Sequence, residues 1–224
     1  MRRVSWEELP YCDLEVGEVY CRGAVGKGVQ NEVLHRLLPG VSNSGGIRAV
    51  GGWQTSGLCV LFSTDKEPQW PDRKEVKFGS YLYFGDNKTP GKKILDTPRK
   101  GNALLNRTFH RAQEGQEGRL DIPVFLIFTA FHKSGEGVVF EGIGVPSLDD
   151  EGGGLEVVTE NLGTEIYENY LARFNLLEER VVSRTWINQL LTAPAKAKAD
   201  RSCPRELNNW IQGRPHRLLS PIGK

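Results

Sequence analysis

The stretch from Ser80 to Leu105, SYLYFGDNKTPGKKILDTPRKGNALL, decides how the chain is read. It opens as a strand, because SYLYF is aromatic and alternating. Gly85, Asp86 and Asn87 break the run, and Lys, Pro, Thr and Gly dominate up to Gly101. GNALLNRTFHRAQEG then reads as a helix, with Asn102 as a cap and Gly115 as a stop. A hairpin turn takes about two to five residues, so this connection is too long to be one. It is also basic: Asp86 to Arg107 holds six Lys or Arg against two Asp. Long irregular connections of this kind carry function more often than they merely join elements.

Outward from this stretch the chain reads mainly as strands. GEVYCRGAV, GLCVLFST and DIPVFLIFTAFHK are apolar runs of strand length, and EVKFGSYLYFGD reads as one alternating strand. GVVFEGIGVP is the expected hairpin partner of DIPVFLIFTAFHK, through Ser134-Gly135-Glu136. GLEVVTEN and ARFNLLE suggest further short strands, VQNEVLHRLLPG a short helix, and SNSGGIRAVGG a glycine-rich loop. From Ser183 the pattern is helical, broken at Pro204 and Gly213. The strands cluster as hairpins and do not alternate with helices. The expected class is α+β, mainly β: an antiparallel, barrel-like domain with flanking helices and a helical C-terminal tail. The expected division is a barrel over residues 1–168 and a C-terminal helical extension or linker over 169–224.

With 224 residues and a formal charge of +1, the totals do not advertise a polyanion partner, but they hide an uneven distribution. Asp149 to Glu168 carries only acidic charge, in contrast to the basic loop, and is expected to face away from any polyanion. Cys12, Cys21, Cys59 and Cys203 form no C-x-x-C, and no histidine stands near them at metal-site spacing, so neither metal nor cofactor is expected. The start, MRRVSWEELP, lacks an apolar core for a signal peptide, and no run is long enough to cross a membrane, which fits free thiols in a reducing cytoplasm. No G-x-S-x-G, P-loop, H-E-x-x-H or Rossmann fingerprint occurs. Glu75-Val76-Lys77 is an E-x-K, but its nearest upstream Asp is only three residues away, too close for a metal ligand on a separate strand. The chain reads as a binding module and not as a catalyst.

The segment from Gly45 to Leu105 resembles the core of SRA-type (SET- and RING-associated) modified-base readers. It is similar in pattern to the N-terminal recognition domains of modification-dependent restriction endonucleases of the AspBHI and MspJI kind, and to the SRA-like domains of McrA-type nucleases. The resemblance rests on Tyr83-Phe84-Gly85-Asp86, followed after a loop by Gly101-Asn102-Ala103-Leu104, and covers roughly Val19 to Pro146. It implies a PUA-like twisted antiparallel barrel that binds double-stranded DNA. It further implies that a 5-methylcytosine or 5-hydroxymethylcytosine is turned out of the duplex into an aromatic pocket, and that a nuclease domain lies C-terminal in the full protein.

Carried onto this sequence, the resemblance makes Asp72 the acceptor for cytosine N4–H and Tyr83 the stacking ring, with Trp53 preferred over Trp70 as the opposing ring. Gln30 or Asn31 would fill the gap left by the extruded base or read the orphan guanine, and Lys133 would face the pocket or a phosphate. Lys88, Lys92, Lys93, Arg99 and Lys100 would follow the phosphate backbone, extended by Arg107 and Arg111. Each has a plain alternative. The aromatics can be core, Asp72 can cap a turn, and the polar residues can be exposed loop. A reader of N6-methyladenine or phosphorothioate DNA on a related barrel, a small-molecule enzyme and a protein-interaction module remain the competing functions.

Overall fold

The computed structural model describes residues 1–23, 32–64, 69–131, 137–148, 154–162 and 165–220. Its strands in chain order are β1 (Arg3–Val4), β2 (Leu14–Glu15), β3 (Val19–Cys21), β4 (Ile47–Ala49), β5 (Leu58–Ser63), β6 (Arg73–Glu75), β7 (Ser80–Phe84), β8 (Val124–Phe131), β9 (Gly137–Pro146), β10 (Leu155–Leu162), β11 (Glu165–Leu176) and β12 (Val181–Val182). The helices are α1 (Val33–Leu37), α2 (Gly101–Gln113), α3 (Gly115–Asp121), α4 (Arg184–Thr192), α5 (Pro194–Ala199) and α6 (Arg205–Ile211).

β5 and β8 are apolar at nearly every position because both of their faces are covered. Leu58, Val60, Val124, Leu126 and Phe128 enter one hydrophobic cluster. Cys59, Leu61, Phe125 and Ile127 enter another on the opposite face. These two strands are parallel; β4 pairs antiparallel with β5, and β9, β11, β7 and β6 follow antiparallel beyond β8. β3 joins β9, β1 runs parallel to β3, and β10 lies outside β11. The expected mixed α+β class, with a large, mostly antiparallel sheet and flanking helices, is what the chain adopts.

α2 covers the second cluster with Leu104, Leu105 and Phe109. The first is covered by α1 and by the C-terminal helices, through Leu34, Leu37, Trp186, Ile187, Leu207 and Trp210. The residue 168/169 division falls inside β11, which pairs with β7, β9 and β10. The C-terminal helices are stitched in by polar contacts as well. Buried Arg184 donates to the carbonyls of Leu9, Cys12 and Leu37, and Lys198 donates to those of Leu120 and Ile122.

Three local readings change. Arg73 to Phe84 is a hairpin, because Gly79 takes φ +62 and Val76–Phe78 forms a single 3-10 turn between β6 and β7. The aromatic alternation continues through that turn, with Phe78 exposed, and so masks it. SNSGGIRAVGG contains β4, too short to show a period. Asn102 is not the cap of α2 but lies inside its first turn, and Lys100 stands at the cap position in a left-handed conformation, φ 56. In β9, Val138 and Phe140 share a cluster with Ile143 and Val145 despite the change of parity. Gly142 at φ +136, with the register shift opposite Ile127 and Phe128, supplies the bulge that turns the strand over.

Candidate nucleic-acid interface

The sheet curls until β7 approaches β5. The Tyr83 hydroxyl donates to the Phe62 carbonyl at 3.2 Å, across strands that are far apart in the pairing order. Gly46 permits this approach, because a Cβ there would overlap the Tyr83 hydroxyl. Beside the seam is a cavity of about 240 Å³. A single water needs roughly 10–15 Å³ on this measure, so the cavity has room for a group the size of a nucleobase. Gly45, Gly46, Ile47, Arg48, Phe62 and Thr64 line one side; Trp70, Asp72, Tyr83, Phe84, Gly85, Asp86 and Lys88 line the other.

The aromatic side is rigid. Trp70 is almost fully buried, packed against Phe84 with ring centres 5.3 Å apart and edge-on to Tyr167 at 5.6 Å. Its indole N–H has no hydrogen-bond partner among the described residues. Asp72 Oδ1 accepts from the Phe84 backbone N–H at 2.8 Å, which fixes the carboxylate against the strand that carries Tyr83. Burial, and then the Asp72 charge, hold the Tyr83 phenol well above its ordinary range, so it remains a neutral donor. On the other side, buried Arg48 braces the glycine turn by donating to the carbonyls of Gly45 and Ser42. Its guanidinium also pairs with Glu32 at 3.1 Å and lies over the Phe62 ring.

The basic loop, residues 87–100, is closed at its base by polar side chains. Asp86 accepts from the N–H groups of Gly101 and Asn102 at 3.0 and 2.8 Å, and so caps α2 from fifteen or so residues away. Asn102 returns the contact, its Oδ1 accepting from the Asp86 N–H at 2.8 Å, while its Nδ2 reaches the Ile94 carbonyl and Asn169 Oδ1. Asn169 also donates to the Gly85 carbonyl, and Asn87 donates to that of Glu168. Glycine is required at 85, where a Cβ would collide with Asn102 and Asn169. Tyr-x-Gly-Asp and Gly-Asn-x-Leu are thus two halves of one clasp.

The cations of the loop and of α2 do not form one set. Lys88, Lys92 and Lys93 are exposed, and of these Lys88 lines the cavity. Arg99 reaches back to Ser44, its two terminal nitrogens donating to the Ser44 carbonyl and hydroxyl beside the glycine turn. Lys100 pairs with Asp96 at 3.0 Å. Arg107 and Arg111 share Asp121, at 2.5 and 3.1 Å, and so tie α2 to the end of α3.

The structure therefore brings Trp70, Asp72, Tyr83 and Lys88 together. Trp53 stands in the turn between β4 and β5, half-buried against the second cluster, and is not among the lining residues. Gln30, Asn31 and Lys133 lie outside the described residues. The acidic stretch is not remote from the cavity: Tyr167 packs on Trp70, and the Glu168 carbonyl holds Asn87. Phe62 and Arg48 were not singled out from sequence, and Phe84 entered there only as part of the Tyr83-Phe84-Gly85-Asp86 motif, with no role in the pocket. Arg48 follows two glycines in a loop-like run, which gave no sign that it would be buried. No helix among the described residues is long and apolar enough to cross a membrane, and no cluster of potential metal ligands is found among them.

The fold has close structural counterparts. The DNA recognition domain of the cytosine modification-dependent restriction endonuclease LpnPI superimposes with a TM-score of 0.87 at 30% identity, over 100% of this chain and 99% of that one. The DNA modification-dependent restriction endonuclease AspBHI gives 0.85 at 31%, over 98% and 99%. The MspJI restriction endonuclease, in complex with a 27-mer oligonucleotide, gives 0.67 at 22%, over 95% of this chain and 56% of that one, a likeness of fold. No curated protein matches the sequence. Residues 14–221 match the family described as restriction endonuclease AspBHI N-terminal, and the chain belongs to that family.

Proposed function

We propose that this chain is the DNA-recognition domain of a modification-dependent restriction endonuclease. In this reading it binds a modified cytosine, 5-methylcytosine or 5-hydroxymethylcytosine, turned out of double-stranded DNA into the cavity beside Tyr83. The observation that carries it is the meeting of Trp70, Asp72 and Tyr83 around one base-sized cavity in a chain of this family. Extruding a base costs a few kcal/mol. Aromatic stacking returns about 1–3 kcal/mol, and Asp72 offers a charged acceptor for cytosine N4–H. The glycine turn at 45–46 lets backbone approach the base without a side chain in the way. The curled sheet is taken as a PUA-like barrel, and cleavage is assigned to a nuclease domain of the full protein.

The test is binding to otherwise identical duplexes carrying cytosine, 5-methylcytosine, 5-hydroxymethylcytosine or N6-methyladenine, with 2-aminopurine beside the target base. Preference for a modified cytosine, accompanied by brightening of the probe, is the expected result. Equal affinity for all duplexes, or preference for N6-methyladenine, would overturn the reading.

A further inference from the structure

One wall of the cavity is anchored by a carboxylate that does not line it. Gly45, Gly46, Ile47, Arg48 and Phe62 belong to that wall, and Glu32 is not among the lining residues. Glu32 stands at the start of α1, where its Oε2 accepts from the His35 N–H at 2.7 Å. Its Oε1 accepts from Arg48 Nη1 at 3.1 Å. The Arg48 side chain is 5% exposed and that of Glu32 21%, so the pair is largely shielded from screening salt. From this anchor the guanidinium reaches two carbonyls of the glycine turn, that of Gly45 through Nε at 2.7 Å and that of Ser42 through Nη1 at 3.2 Å. It also lies 4.7 Å from the centre of the Phe62 ring. Phe62 is in turn the residue whose carbonyl accepts from the Tyr83 hydroxyl across the seam. A planar guanidinium bonded to a carboxylate and two carbonyls, and stacked on a ring, has little freedom to turn.

We infer that Glu32 is a positioning residue for base capture. Acting through Arg48, it fixes how far the glycine turn and Phe62 stand from Trp70, Asp72 and Tyr83, and so the width open to the base. The inference rests on the proposed base capture. A binding site discriminates only when its walls are held to within about 0.5 Å by residues that need not touch the ligand. Without Glu32 the Arg48 charge stays buried without the carboxylate that compensates it, which is costly. The guanidinium then turns towards other acceptors, and the Gly45 and Ser42 carbonyls lose their brace.

The experiment compares wild type with Glu32→Gln and Glu32→Asp, with Arg48→Lys, and with the double variant Glu32→Gln/Arg48→Lys. Aspartate keeps the charge and is a strong helix cap, but it is too short to serve both His35 N–H and Arg48. Lysine keeps the charge of Arg48 and loses its fork. Each chain is titrated with duplexes carrying 5-methylcytosine or unmodified cytosine, with 2-aminopurine beside the target base and affinities referred to the active fraction of the chain. Glu32→Gln and Glu32→Asp should each lose about tenfold on the modified duplex, the scale of one hydrogen bond to the base. They should leave the unmodified duplex nearly unaffected and dim the probe. The double variant should bind the modified duplex no worse than Arg48→Lys alone, because Glu32 acts through Arg48. Equal losses on both duplexes, full affinity for the modified duplex in either Glu32 variant, losses that add in the double variant, or failure of both Glu32 variants to fold would each overturn the inference while leaving base capture standing. A wild-type chain that neither prefers the modified duplex nor brightens 2-aminopurine overturns both.

Discussion

Asp86 and Asn102 each bind the other's backbone: the Asp86 carboxylate accepts from Asn102 N–H at 2.8 Å, and Asn102 Oδ1 accepts from Asp86 N–H at 2.8 Å. The pair closes a basic loop whose first residues line the cavity and whose end begins α2. Asn102 is fully buried, so its removal strands two groups at once, Asp86 N–H and the Ile94 carbonyl. Asn102→Ala should therefore destabilise the fold by about 2–4 kcal/mol, the cost of two or so buried groups left unsatisfied. Urea unfolding measures this, and a loss below about 1 kcal/mol would show that the clasp is not structural.

Salt dependence separates the loop cations. If Lys92 and Lys93 each release one counterion, Lys92→Ala/Lys93→Ala should make the slope of log K against log salt shallower by about 2. Arg99→Ala and Arg107→Ala should change it less, because those guanidiniums already bind Ser44 and Asp121. Titrations of one unmodified duplex at several salt concentrations decide the point.

Asp72→Asn should act on modified sites. The amide oxygen can still accept from Phe84 N–H, so the hairpin is expected to survive. In the proposed base capture, where it would face cytosine N4–H, the side chain loses its charge and presents an NH2 in one of its two orientations. A loss of about 1.5–3 kcal/mol is expected at modified sites, with non-specific binding little changed. Full affinity and full preference in the variant would move the acceptor elsewhere.

Lys198 gives a pH signature. Burial brings its ammonium down to about 8, while its Nζ donates to the Leu120 and Ile122 carbonyls near the end of α3. The unfolded chain binds this proton more tightly than the folded one. Stability relative to Lys198→Met is thus fully present above the unfolded pKa and is lost as pH falls through about 8. Between pH 7 and 9.5 wild type should gain about 1–2 kcal/mol on the variant, read from urea unfolding at both pH values. A constant difference would mean that the two carbonyls hold the charged form as well as water does.

Local pattern alone determined a great deal. The apolar runs of β5, β8 and β9, the hairpin between β8 and β9, α2 with its Gly115 stop and the Ser183 start of α4 were all legible. Each is written in residues close together in the chain. So were the two motifs around Asp86 and Asn102, and with them the family. What they do to one another was not legible, because the hydrogen bonds join residues separated by a loop. The choice between Trp53 and Trp70 was likewise beyond the sequence. Both are single tryptophans in polar, turn-rich runs, and which of them lines the cavity depends on where β7 meets β5 after the sheet has curled. The C-terminal helices also looked separable in sequence, since helical periodicity does not say which surface a helix covers. Trp186 and Trp210 are buried in the same cluster as Leu58 and Leu126, and β11 runs unbroken across residues 168 and 169. Short-range periodicity sets which elements form. The pairing of Tyr83 with Phe62, and so the cavity itself, belongs to long-range packing that only the folded sheet supplies.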